Sequence, residues 1–466
     1  SVECVWAHAM TSSSTTRHRR RLAGLARRLT GRYGRGWRPV RFFPSLRTDE
    51  RRRQGMFMFL LDGLLANISE SFVGPYLSLY LLALGATGGQ VGLLASVTSF
   101  VGALMFLPGA RLAARFPNYR NLVVAASLGA RAALPLLILV PPLVGGQGAI
   151  ASVILFAAMR AGFTQLGNPA WTALSAALVP VRLRGRYFSS RTFAMSLAAV
   201  VAVPLAGRLI STLGAPRGYQ VSFGLALVAG LLASFCYSRI PLLGTSRRRP
   251  QPFSLGQALL GLRARPGFVR FWIISMILGF SVNVAGPFFN VHLVRDLGAS
   301  AGFVGIFTTV NTAATLVGTR LFGPLVDRRG LRWTMVRTSP FVALIPFAWL
   351  FPRQAWQALP ISAMGGLAWA GYNLAVFNLL LATTAEGDRP LYSAIYNTGH
   401  ALAVMLGPLL GGLLYDGWGF QAPLIVSSLG RGTAALLVFL LIREATRPQP
   451  APPEPVRTAA GHAPDV

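Results

Sequence analysis

Apolar runs of roughly twenty residues recur along this chain, each closed by a short polar or glycine- and proline-bearing stretch, and a helix of that length crosses a bilayer core of ~30 Å. The apolar residues do not alternate with a period of two, so barrel strands are not predicted. Twelve helical spans are expected, near residues 56–83, 89–110, 120–141, 149–179, 191–213, 217–239, 268–294, 300–322, 334–352, 356–383, 391–415 and 420–442. Pro169 falls inside the long fourth run and predicts a kink there. The fold class expected is all-α integral membrane.

The pattern is written twice. Val91–Arg115 (VGLLASVTSFVGALMFLPGARLAAR) aligns with Val304–Arg328 (VGIFTTVNTAATLVGTRLFGPLVDR) without a gap, at an offset of 213. Upstream, Gly74-Pro75 matches Gly286-Pro287, and Leu84-Gly85-Ala86-Thr87 matches Leu297-Gly298-Ala299-Ser300. Further on, Pro204 and Gly207 match Pro408 and Gly411. A unit of about 200 residues is too long for a solenoid repeat. It predicts two parallel six-helix bundles, residues 56–239 and 268–443, joined by a cytoplasmic linker over 240–267. An arginine-rich tail over 1–55 and a tail over 444–466 flank them. In an apolar chain, two such copies place a site between them near the bilayer midplane.

Composition sharpens this picture. The chain is 53% hydrophobic and 12% charged, where a soluble domain carries about twice that charge. The net charge of +31 suggests nucleic acid, but its placement argues against that partner. Every basic residue is arginine. The arginines crowd the N-terminal tail and the connections after even-numbered spans: Arg111, Arg115 and Arg120, then Arg182, Arg184 and Arg186, then Arg247 to Arg249, then Arg328, Arg329 and Arg332. Connections after odd spans carry only Arg217, Arg295 and Arg353. This is the positive-inside pattern, and it predicts a plasma or inner membrane protein with both termini cytoplasmic. The N-terminal tail holds no apolar core of signal-peptide length and reads as a disordered cytoplasmic segment. Ser254–Arg263 in the linker reads as an amphipathic helix on the membrane surface. Cys4 and Cys236 provide neither a disulfide framework nor a metal cluster. With no nucleophile–base pair and no phosphate loop, neither an enzyme nor a cofactor is expected.

The loop after the eighth span reads Gly323-x-Leu325-x-Asp327-Arg328-x-Gly330, with Arg332 close behind. This resembles the G-x-L-x-D-R-x-G-R signature of the major facilitator superfamily of secondary transporters, as do the six-plus-six topology and the basic central loop. The equivalent first-half loop is eroded to Leu112 and Arg115, with Ala110, Ala114 and Pro117 in place of Gly, Asp and Gly. A second signature, the antiporter-associated G-P-x-x-G-G, is partial at Pro204 and Gly207 and complete over Gly407–Gly412. Close helix packing explains these glycines equally well. The resemblance implies that spans 1, 4, 7 and 10 surround the substrate path. It also implies that the second-half loop lies against the start of the fifth span, where Asp327 is expected to pair with Arg191 or Arg186 as a cytoplasmic gate.

Polar stripes mark those four spans. They are Asn67, Glu70, Ser71, Gly74 and Ser78 in the first; Arg160, Thr164, Asn168 and Trp171 in the fourth; Asn283 and Asn290 in the seventh; and Trp369, Tyr372, Asn373 and Phe377 in the tenth. Glu70 stands out as an acid well inside a span, with apolar Val282 as its repeat counterpart. Asp62 reads as nearer the span's end and off the stripe. An ionised carboxylate at mid-bilayer costs about 2.5–3.5 kcal/mol. Desolvation favours its protonated form, which suits a proton carrier; the other reading is an ion pair with Arg131 or Arg160. Arg160 reads as a substrate-anion or coupling residue, or as that partner. Arg131 and Arg431, outside the resemblance's cavity set, read as structural. The expectation is a monomeric, proton-coupled transporter that exports a small amphipathic molecule. A sugar or organic-solute permease and a non-transporting sensor or scaffold are the alternatives.

Overall fold

The computed structural model describes residues 50–116, 118–180, 183–241, 265–382 and 389–442. Both tails, most of the central linker and the amphipathic helix expected at Ser254–Arg263 lie outside the described residues. The described residues form fourteen α-helices: α1 Glu50–Ser71, α2 Leu77–Ala83, α3 Gly88–Arg115, α4 Tyr119–Leu143, α5 Gly146–Leu178, α6 Arg184–Leu213, α7 Arg217–Ser238, α8 Pro266–Ala285, α9 Phe288–Arg295, α10 Ala301–Arg329, α11 Leu331–Ala348, α12 Ala358–Ala382, α13 Arg389–Trp418 and α14 Gln421–Leu441. Taking α1 with α2 and α8 with α9, these make twelve membrane-length elements. Ten are long and apolar enough to cross a bilayer. Their outer faces carry bare leucines such as Leu155, Leu413 and Leu429, each more than three-fifths exposed, which suits contact with lipid.

The repeat explains where the helices break and turn. Proline lacks the N–H that a helix interior needs. Accordingly α1 stops at Ser71 before Gly74-Pro75, and α8 stops at Ala285 before Gly286-Pro287. The first span of each half is therefore discontinuous at the same place. Gly85 (φ 90°) and Gly298 (φ 65°) occupy the left-handed region that glycine tolerates. Each precedes a helix cap: the Thr87 side chain accepts from Gln90 N at the start of α3, and the Ser300 side chain from Phe303 N at the start of α10.

The halves meet through two copies of one contact. The strongest packing between them is α3 on α13 and α6 on α10, which the repeat interchanges. At one, a Cβ added to Gly92 would lie 2.4 Å from the Pro408 carbonyl oxygen; at the other, a Cβ on Gly305 would lie 2.9 Å from Pro204 Cα. Each contact also caps a helix of the opposite half. Asp416 Oδ2 accepts from Gly89 N (2.8 Å) and from Thr87 Oγ1 (3.1 Å), and Ser211 Oγ accepts from Gly302 N (2.8 Å). The G-P-x-x-G-G run thus lies in a packing seam.

Among the described residues the hydrophobic core falls into three clusters. The largest draws on both halves, with Tyr76 and Leu81 beside Phe288, Val291 and Tyr415. The second belongs to the C-terminal half and the third to the N-terminal half alone. The halves therefore share one core at the α2/α9 end of the molecule and have separate cores towards the N-terminus of α1.

Gly92→Leu should cost about 1–3 kcal/mol by overpacking this seam. The check is the thermal midpoint of the purified protein. Gly224→Ala, where an added Cβ meets nothing within 4 Å, should leave that midpoint unchanged or slightly raised.

Candidate functional site

Five helices of the N-terminal half, α1 and α4 to α7, line a half-open cavity of about 390 Å³. Its α1 wall is the stripe Asp62, Ala66, Ser69 and Glu70, spaced i, i+4, i+7 and i+8 along one helical face. Arg131 enters from α4, Arg160, Asn168 and Trp171 from α5, and Arg191 from α6. Five charged side chains thus share one space inside a membrane-length bundle.

Two ion pairs organise them. Glu70 Oε2 pairs with Arg160 Nη2, the Glu70 side chain being 54% exposed and Arg160 20%. Half of the Glu70 side chain is open to the cavity, and its partner Arg160 reaches it from α5. Asp62 and Arg191 form the buried pair, with Oδ2 and Nη2 3.8 Å apart and both side chains nearly covered. Arg191 is held further by its Nε donating to the Phe59 carbonyl (3.2 Å) and by its guanidinium lying 4.4 Å over the Phe59 ring. Gly63 makes room for it: a Cβ there would sit 2.3 Å from Arg191 Nη2.

Several expectations change here. Asp62 is not off the cavity face but part of its wall and buried. Eight residues from Glu70, it lies within one broad helical face. Arg191, one of the two arginines expected as partners of Asp327, pairs with Asp62 of its own half. The Asp327 side chain lies outside the described residues, and Arg186 is exposed. Around the loop motif, Gly330 (φ 87°) turns the chain between α10 and α11, Arg332 donates to the Phe439 carbonyl, and Arg328 and the surroundings of Gly323 are open. Arg131, expected to be structural, faces the cavity. Its Nη1 donates to the Ser127 carbonyl (3.0 Å), and its buried Nε has no hydrogen-bond partner.

The remaining candidates divide by half. Asn168 donates to Gln165 Oε1 (2.9 Å) on the cavity wall, and Trp171 packs 5.7 Å from Phe59. Asn67 and Ser71 lie off the wall; the Ser71 hydroxyl donates to the Asn67 carbonyl within the helix, so it needs no cavity partner. The second-half candidates do not line this cavity. Asn283 donates to the Gly279 carbonyl of its own helix (2.8 Å), and Asn290 is half-buried on α9. Tyr372 packs in the C-terminal core rather than on a polar face, while Asn373 is exposed. The Phe377 side chain lies outside the described residues.

Comparison with known proteins places this arrangement. A family profile described as Major Facilitator Superfamily matches residues 59–281 and 271–464. The multidrug resistance protein MdtG of Salmonella arizonae is 25% identical over 183 residues, 38% of this chain and 45% of that protein. The chain thus spans less than half the length of the curated relatives it matches. A bacterial homologue of the human lysosomal transporter Spinster, in its inward-facing and unoccupied conformation, superposes with a TM-score of 0.67 at 14% identity, covering 84% of this chain and 97% of that one. The nucleoside transporter NupG superposes with a TM-score of 0.61, also at 14% identity, over 84% of this chain and 98% of that one. At such identities the likeness is one of fold.

The two ion pairs should respond differently to neutralisation. Asp62→Asn leaves the Arg191 charge buried and should cost on the order of 3 kcal/mol. Glu70→Gln, at a half-exposed site, should cost less than about 1 kcal/mol. Thermal midpoints of the two purified variants test this; equal losses would contradict the assignment of buried and open pairs.

Proposed function

The chain belongs to the Major Facilitator Superfamily, and on that premise we propose that it is a secondary transporter that moves a small amphipathic solute by alternating access. The observation that carries the mechanism is the open Glu70–Arg160 pair on the cavity wall. Protonation of Glu70 removes one negative charge and the charge-assisted bond that holds Arg160. Arg160 is then released, and the cavity's charge rises by one. Proton binding and solute binding are linked through that single change. Asp62 and Arg191, buried and multiply held, form the fixed frame against which the open pair switches.

We place both termini on the cytoplasmic side, from the arginine distribution. The end where the halves share a core then faces outward, and the end with separate cores faces the cytoplasm. One half rocks against the other about the α3/α13 and α6/α10 seams, and the Asp416 and Ser211 caps must release for the outer end to open. Asp327 at the cytoplasmic loop is proposed to close the opposite end, with Arg186 as the partner left to it. No ATPase motif occurs in the sequence, so uphill movement draws on an ion gradient, taken here to be protons in a cell membrane.

Glu70→Gln should abolish uptake driven by a pH gradient in proteoliposomes and retain solute counterflow, which needs no net proton movement. Retention of gradient-driven transport would remove Glu70 from the coupling role.

A further inference from the structure

We propose that the solute of the N-terminal cavity is a small amphipathic monoanion, an oxyanion head on an apolar body, whose head is held by Arg131. This rests on the reading of that cavity as a transport site and adds the charge of its occupant.

The cavity holds three arginines, Arg131, Arg160 and Arg191, against two acids, Asp62 and Glu70. Both acids are committed: Glu70 to Arg160, and Asp62 to Arg191. Arg131 is the cation that remains. Among the described residues its hydrogen bonds go to neutral groups, the Ser127 carbonyl and hydroxyl, and its Nε is buried without a partner. A guanidinium inside a membrane bundle with no ion pair of its own is costly and marks a site where an anion is expected; Asp62 and Glu70 act on Arg131 through space, but each pairs directly with another arginine. A solute carrying one negative charge would neutralise the cavity.

The position is also built. A Cβ at Gly230 of α7 would lie 2.5 Å from Arg131 Nε and 3.1 Å from the Ser69 hydroxyl, so the missing side chain is what lets the guanidinium sit where it does. A preorganised, partly desolvated guanidinium suits charge-assisted recognition of an oxyanion. The same cavity is lined by apolar side chains, Leu134, Phe163, Trp171 and Met195 among them. The volume of about 390 Å³ lies in the range for small ligands. The same logic disfavours a lipophilic cation, since both carboxylates that could receive it already face arginines.

Three probes with one naphthalene ring and different heads test this: naphthoate, naphthylmethylammonium and naphthylmethanol. Equilibrium binding to the purified full chain in detergent should rank naphthoate above the other two by about tenfold or more, the scale of a charged hydrogen bond. Arg131→Met should bring naphthoate down to the level of the alcohol, and Arg131→Lys should restore part of the difference. If Arg131→Met fails to fold, the probe ranking and the lysine variant still decide. Preference for the ammonium probe, binding of none of the three, or naphthoate binding unchanged in Arg131→Met would overturn the proposal. Proteoliposome counterflow separates it from the transport reading. Naphthoate that binds without counterflow would overturn the transport reading and leave the charge assignment standing. Counterflow of the ammonium probe alone would do the reverse.

Discussion

A charge inside a membrane bundle must be answered by an opposite charge, by backbone carbonyls, by water or by a ligand, and the N-terminal half is arranged around that requirement. Its five cavity charges fall into one buried pair, one open pair and one guanidinium with only neutral partners. Each state implies a different response. The buried pair is held in place by the Phe59 carbonyl and ring as well as by Asp62, so it behaves as structure. The open pair exposes its carboxylate to the cavity and is the one proposed to carry coupling. The third guanidinium, bonded only to neutral groups, is the one we propose for an occupant. Small residues keep these positions available, with Gly63 beneath Arg191 and Gly230 beneath Arg131.

The C-terminal half meets the same requirement differently. Arg431 is almost fully buried there, and its guanidinium donates to the carbonyls of Val342 and Val282. Val282 is also the repeat counterpart of Glu70. Where one copy places an acid on a cavity wall, the other offers a backbone carbonyl to a buried cation. The two halves share a frame of helix breaks, turn glycines and caps, and divide in their polar interiors. Their joint seam depends on that shared frame, because Gly92 and Gly305 allow the same backbone approach to Pro408 and Pro204. A motion that separates the seams must break matched contacts on both sides of the pseudo-twofold together, which favours movement of each half as a unit.

Much of the frame was legible in the sequence. The twelve spans follow from apolar runs of bilayer length, and the breaks at Gly74-Pro75 and Gly286-Pro287 follow from proline chemistry. The caps at Thr87 and Ser300 sit where the repeat put them. The cavity was legible only in part. Glu70, Arg160, Asn168 and Trp171 were found by polarity within a span, and all four line one cavity. The same criterion misplaced Ser71, whose hydroxyl is satisfied inside its own helix, and Tyr372, whose ring fills the C-terminal core. It undervalued Asp62 and Arg131, which it set aside as lying near a span's end and on a helix outside the expected set.

Local chemistry acts along the chain, so sequence alone determined the helices, their breaks, the two-copy design and the presence of ionisable groups in apolar segments. Which of those groups face each other depends on helix rotation and on neighbours brought from about a hundred residues away, as when α5 sets Arg160 against Glu70 and α6 sets Arg191 against Asp62. A polar side chain on a helix can be satisfied by its own backbone, by another helix or by a cavity, and its identity does not say which. Only the tertiary structure decided that, because the answer rests on the packing of whole helices and not on the residues of one.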